Sequence, residues 1–171
     1  LKKNKTTTIN TSHTIHKSLN NNNVKIIYND SFGNLWIGTR GGGLSHYDEN
    51  KMLFNNYQND INDDRSLSHN RVYNVFEDAH HNLWVATDDG LNLYVEENDN
   101  FLTIQTADMT AISLSNTRVY STILDKGGIL WVGTINGLYA WNSRLSEFVN
   151  YKSLEIEKNA SSSNFIYALA E

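Results

Sequence analysis

A five-residue string built on tryptophan, Leu35-Trp36-Ile37-Gly38-Thr39, returns as Leu83-Trp84-Val85-Ala86-Thr87 and again as Leu130-Trp131-Val132-Gly133-Thr134. The tryptophans are 48 and 47 residues apart. Self-similarity at a fixed period of this size marks a chain of stacked units, each too small to bury its own apolar face. Other positions keep the same register. Gly-Leu follows each tryptophan at Gly43-Leu44, Gly90-Leu91 and Gly137-Leu138, with a tyrosine close by at Tyr47, Tyr94 and Tyr139. An aspartate opens the turn ahead of each tryptophan, at Asp30, Asp78 and Asp125. Ser-Leu stands further upstream at Ser18-Leu19, Ser66-Leu67 and Ser113-Leu114, and a phenylalanine closes each unit at Phe54, Phe101 and Phe148.

Within a unit the local patterns read as strands. Val72 to Glu77 is rich in β-branched and aromatic residues and ends in an Asp-led turn. Leu83 to Thr87 is a short apolar run, as expected of a strand covered on both faces. Asp89-Gly90 and Asn136-Gly137 are hairpin turns, as is the run Gly41-Gly42-Gly43. Leu91 to Val95 and Phe101 to Gln105 complete the unit. No segment carries a sustained helical period. Four short antiparallel strands at this period predict an all-β fold: a β-propeller fragment of about three four-stranded antiparallel blades plus the first strand of a fourth. The divisions expected are a lead-in over 1–17, with an outer strand of a preceding blade at Thr6 to Ile9, blades over 18–64, 65–111 and 112–158, and a first strand of blade 4 over 159–171. Trp36, Trp84 and Trp131 are the expected anchors between neighbouring blades, and Gly38 and Gly133 are the places where a neighbouring backbone is expected to come close. A β-sandwich has no need of the same tryptophan, Gly-Leu and aspartate at fixed spacing, so it is the weaker alternative.

Composition narrows the function. The net charge is −5, and charged residues make up 19% of the chain, so the polar surface rests largely on Asn, Ser and Thr. That argues against nucleic acid, whose phosphates are held by Lys and Arg. No apolar run approaches a membrane span, so no membrane contact is expected in this segment. Cysteine is absent, which excludes disulfide and thiol chemistry. His13 and His16 have metal-like spacing without further ligands, and Asp60, Asp63 and Asp64 lack the spacing of a helix-loop-helix calcium cage, so no metal and no cofactor is expected. The glycine run lacks the lysine of a phosphate loop.

In a propeller the loops that enter the innermost strand and those joining strands two and three share one face. This placement gathers Arg40, Arg71, Tyr73, Asp88, Asp89, Arg118, Tyr120 and Asn136 as candidate ligand-binding residues, with Asn22, Asn23, His69, Asn70, Asn116, Thr117 and Ile135 beside them. Planar donors and acceptors with rings for flat apolar faces suit a sugar. Arg71 and Arg118 occupy one repeat position, which favours a structural ion pair. Arg40 and Asp88 do not recur and are the stronger functional candidates. No paired acids, nucleophile-base pair or metal set stands out, so no catalytic residue is assigned.

The string Asp-x-x-Gly-Asn-Leu-Trp-Ile-Gly-Thr at Asp30 to Thr39, the Gly-Leu at Gly43-Leu44, and Ser66-Leu67-Ser68-x-Asn70-x-Val72-Tyr73 resemble the two-component regulator propeller repeat. The resemblance runs from Ser18 to Glu171; the second unit departs from it at His80-His81, where glycine is usual, and at Ala86. It implies a seven-bladed propeller in the periplasmic sensor region of a bacterial hybrid two-component histidine kinase. It also implies an oligosaccharide ligand and control of polysaccharide utilisation genes. On that reading the chain is not an enzyme, and its partners are the remaining blades, an oligosaccharide and, through subunit contacts, a second copy. The alternatives are a sugar lyase or hydrolase on a propeller, and a dimerisation scaffold.

Overall fold

A computed structural model describes residues 18–104, 114, 117–142, 147–151 and 165–170. The expectations placed on Thr6 to Ile9, His13, His16, Ser113 and Asn116 lie outside these residues. Twelve strands form three four-stranded antiparallel sheets, each in simple sequential order. The first holds β1 (Val24–Asn29), β2 (Leu35–Thr39), β3 (Leu44–Asp48) and β4 (Leu53–Tyr57). The second holds β5 (Val72–Glu77), β6 (Leu83–Thr87), β7 (Gly90–Val95) and β8 (Asn100–Thr103). The third holds β9 (Val119–Leu124), β10 (Ile129–Thr134), β11 (Gly137–Asn142) and β12 (Glu147–Tyr151). A 3-10 turn, Glu96–Asn98, joins β7 to β8.

The sheets stack face against face. β5 packs on β1 and β2, and β9 packs on β5 and β6. Two buried clusters therefore lie between sheets, and a third, of Leu19, Ile37 and Phe54, lies on the first unit alone. Trp36 of the first sheet is buried with Leu67, Val72, Val75, Leu83, Val85 and Phe101 of the second. Trp84 of the second sheet is buried with Leu114, Val119, Leu130, Val132 and Tyr139 of the third. Burying one indole removes ~150–250 Å² from water, worth at most ~4–6 kcal/mol by area. Trp36 and Trp84 are 2% and 3% exposed. Trp131 is only half-buried and packs on Tyr151 of its own sheet, because no further sheet covers it among the described residues.

Each indole is also pinned by a hydrogen bond. Trp36, Trp84 and Trp131 donate from Nε1 to Asp30, Asp78 and Asp125 Oδ2 at 2.9, 2.9 and 2.8 Å. The other carboxylate oxygen caps the β-turn between the first two strands. Asp78 Oδ1 accepts from the His80 and Asn82 backbone N–H groups at 2.8 and 3.0 Å. One recurring aspartate so ties the turn to the anchor.

The close approach expected at Gly38 and Gly133 is present, with a difference. A Cβ on Gly38 would lie 2.5 Å from Ile26 Cγ2 and 2.6 Å from Val72 Cγ1, so side chains crowd this glycine and not a neighbouring backbone. At Gly133 it would meet Ser121 Oγ, Ile166 Cγ2 and the Ile166 carbonyl oxygen at 2.6, 2.7 and 2.9 Å. The segment expected as the first strand of a fourth unit is anchored beside the third sheet by a bond from Ile166 N to Thr134 O of 2.9 Å. Among the described residues, 165–170 carry no assigned strand.

Candidate functional site

The innermost strands carry a bulge at the same repeat position. The ladder skips Lys25 between Val24 and Ile26 of β1, Tyr73 between Val72 and Asn74 of β5, and Tyr120 between Val119 and Ser121 of β9. A bulge turns the extra side chain out of the pleat and re-aims it. Tyr73 and Tyr120 meet edge to face across two units, with ring centroids 5.2 Å apart, and Tyr120 lies 4.6 Å from Tyr167.

Asp88, on the loop between β6 and β7, gathers the neighbouring groups. Its side chain is 9% exposed. Arg71 Nη1 donates to Asp88 Oδ2 at 2.6 Å, and the Tyr73 hydroxyl donates to Asp88 Oδ1 at 2.8 Å. Arg118 of the third unit pairs with the same Oδ1 through Nε, and its Nη1 donates to the Tyr120 hydroxyl at 3.2 Å. Burial, then the bond to Asp88, raises the Tyr73 hydroxyl above its ordinary value, so it remains a donor. Arg118 is held charged more firmly still, first by Tyr120 and then by the Asp88 carboxylate.

The sequence-predicted set therefore divides. Arg71, Tyr73, Asp88, Arg118 and Tyr120 converge. Both oxygens of Asp88 are spent on the cluster, so this non-recurring residue joins two units as well as lining the rim. Arg118 takes its acid from the neighbouring unit, whereas Arg71 takes it from its own. Arg40 sits across an isolated bridge from Arg71; its backbone N–H bonds Asn23 O at 2.9 Å, and its exposed guanidinium has no partner among the described residues. Asp89 and Asn136 stand on the two hairpin loops, where their N–H groups bond Thr87 and Thr134 Oγ1 at 3.0 Å each. What the rim offers a ligand is donors, from Arg40 and the free edges of Arg71 and Arg118, beside tyrosine rings.

On the opposite face the structure brings together residues that the sequence reading left apart. Ser31 Oγ donates to Glu77 Oε1 at 2.6 Å, and His81 Nδ1 lies 2.6 Å from the same oxygen and 2.9 Å from Ser31 Oγ. The Ser31 N–H adds a bond to Glu77 Oε2 at 2.6 Å. These residues are 46 and 50 positions apart, so no local spacing signals them. This is not a hydrolytic triad. Serine and glutamate meet the same ring nitrogen, and the serine proton goes to the carboxylate, whereas a triad needs the serine on one ring nitrogen and the orienting acid on the other.

The two component regulator propeller model matches residues 18–41, 66–89 and 113–136. No curated protein matches the chain. Among solved structures, the extracellular domain of the putative one component system BT4673 from B. thetaiotaomicron is similar over 86% of the chain, at 25% identity and a TM-score of 0.67. A second structure, of the putative hybrid two component system BT4673 from the same organism, aligns over 88% of the chain at 21% identity with a TM-score of 0.66. The extracellular domain of the putative hybrid two component system BT3049 from B. thetaiotaomicron aligns over 81% at 20% identity and a TM-score of 0.58. The chain spans 20%, 19% and 25% of those three chains, respectively. The fold is thus that of known propeller domains. Three matches set one repeat apart, each taking in the aspartate turn and its tryptophan, show that the chain carries two component regulator propeller repeats.

Proposed function

We propose that this chain is part of the extracytoplasmic ligand-sensing propeller of a bacterial hybrid two-component regulator, and that its ligand is an oligosaccharide. The observation that carries this reading is the threefold repeat match, joined to a fold shared with extracellular domains of putative one- and two-component systems. Among the described residues no helix is long and apolar enough to cross a membrane. Signal output belongs, on this reading, to other domains of a longer protein, and the chain itself performs no chemistry. The rim supports a sugar ligand on physical grounds. Guanidinium groups and tyrosine hydroxyls supply directed hydrogen bonds, and the Tyr73 and Tyr120 rings supply apolar faces.

The test is calorimetric titration with neutral and acidic oligosaccharides. Arg40→Ala is expected to weaken binding about tenfold, the loss of one charged hydrogen bond, while leaving the melting temperature unchanged. Turnover of any bound sugar contradicts the non-enzymatic reading. A lowered melting temperature in Arg40→Ala makes that residue structural.

A further inference from the structure

The face opposite the rim has a cleft between each pair of adjacent sheets, and the two clefts differ in a telling way. The second, of about 310 Å³, is lined by Ala79, Leu124, Gly128, Leu130 and Trp141, among others. The first, of about 400 Å³, holds Phe32, His46, Glu77, His81 and Tyr94. The repeat puts Ala79 where the first unit has Ser31, and Leu93 where it has His46. It also puts Leu124 and Gly128 where the second unit has Glu77 and His81. The second cleft is built without these polar groups, so the fold does not require them.

His81 is the sharpest departure. It adopts φ of 65°, and its counterparts Gly33 and Gly128 have φ of 88° and 79°. The left-handed region is a glycine conformation, and a ring-bearing residue there is strained. The strained backbone carries an imidazole fixed at Nδ1 by Glu77 and Ser31. Nε2 has no partner among the described residues, and the side chain is 59% exposed. The Phe32 ring, 69% exposed, stands 5.2 Å from the imidazole. His46 lies stacked on Trp36 at 4.5 Å, and burial lowers its pKa, which favours the uncharged ring.

We propose that this first inter-sheet cleft is a second binding site, separate from the rim, for one uncharged sugar ring. Phe32 and Tyr94 offer faces for its C–H surface, and His81 Nε2 offers a directed partner for a hydroxyl. The volume is that of a small-ligand pocket. Glu77, Glu96 and Glu97 line it and no Lys or Arg does, so acidic sugars are excluded by charge.

Calorimetry with maltotriose, xylotriose and mannotriose, with trigalacturonate as the charged comparison, tests this in the 171-residue chain. At least one neutral trisaccharide binds, and His81→Gly and Phe32→Ala each weaken that event tenfold or more. His81→Gly restores the residue of the other two units and relieves the left-handed strain, so it folds with little change in melting temperature. Arg118→Ala leaves this event intact. Unchanged affinity in both cleft variants overturns the proposal, as does no heat from any neutral trisaccharide or preferential binding of trigalacturonate here. If Arg118→Ala abolishes all binding while His81→Gly does not, the cleft is not a site and the sensor reading of the rim still stands.

Discussion

Trp84→Ala is expected to destabilise the chain by about 3–5 kcal/mol, the usual loss when a buried aromatic leaves a cavity. The indole is 3% exposed and fills the space between the second and third sheets, against Leu114, Val119, Leu130, Val132 and Tyr139. It stands 6.3 Å from the Phe76 ring in parallel and 5.5 Å from Trp141 edge-on, so truncation removes two aromatic contacts as well as area. Those partners belong to both units, so the space has little freedom to collapse. The same change at Trp131 costs markedly less, because that indole is half-exposed and lacks a covering sheet among the described residues. Urea unfolding of the two variants provides the comparison. Equal losses contradict an anchor that works by burial between units.

Asp78→Ala is the second large effect, about 2–3 kcal/mol, since it removes a carboxylate that accepts several hydrogen bonds, one of them from a buried indole. Trp84 Nε1 is left without its 2.9 Å acceptor, and the β5–β6 turn loses its cap on His80 and Asn82. Acid reports the same interaction. Burial by itself raises the Asp78 pKa, but hydrogen bonds from Asn82, Trp84 and the turn outweigh it, and the net shift is downward. Asp30 shifts downward by the same balance, and Asp125 does so chiefly through Trp131. A carboxylate depressed in the folded state contributes stability that is complete above its unfolded value, about pH 4. That contribution is lost as the pH falls through the lower folded values. The chain is therefore expected to lose stability below about pH 4, and Asp78→Ala to lose it less steeply there. Thermal melts between pH 6 and pH 2 measure the slope; identical slopes in parent and variant remove Asp78 from the account.

The periodic part of this architecture is legible in the residues alone. Val72 to Glu77 and Leu83 to Thr87 are strands at the expected residues, because β-branched runs bounded by turns leave the backbone little choice. The outer strand is less well bounded: it covers Asn100–Thr103 where Phe101 to Gln105 is expected, and Gln105 lies outside the described residues. The aspartates and tryptophans were both visible as repeats, but their bond was not. Its signal was present all the same, as a constant six-residue interval from Asp30 to Trp36, Asp78 to Trp84 and Asp125 to Trp131.

The site was legible only in part. Loop order puts Arg71, Asp88 and Arg118 on one rim, but no residue pattern announces the bulges that turn Tyr73 and Tyr120 toward each other. Nor does a linear reading show that one Asp88 carboxylate serves two units. The Ser31, Glu77 and His81 cluster forms only when one sheet is laid on the next. The departure of His81 from the glycine of its repeat partners was its single advance sign.

The central claim is that a tryptophan is buried where a following unit stacks on it, as at Trp36 and Trp84, while its own aspartate holds the indole N–H. Hydrogen exchange at the indole Nε1 positions measures this directly. The account predicts slow exchange at Trp36 and Trp84, approaching the limit of global unfolding, and faster exchange at Trp131, where the bond to Asp125 persists with no covering sheet among the described residues. Exchange equally fast at all three indoles contradicts it.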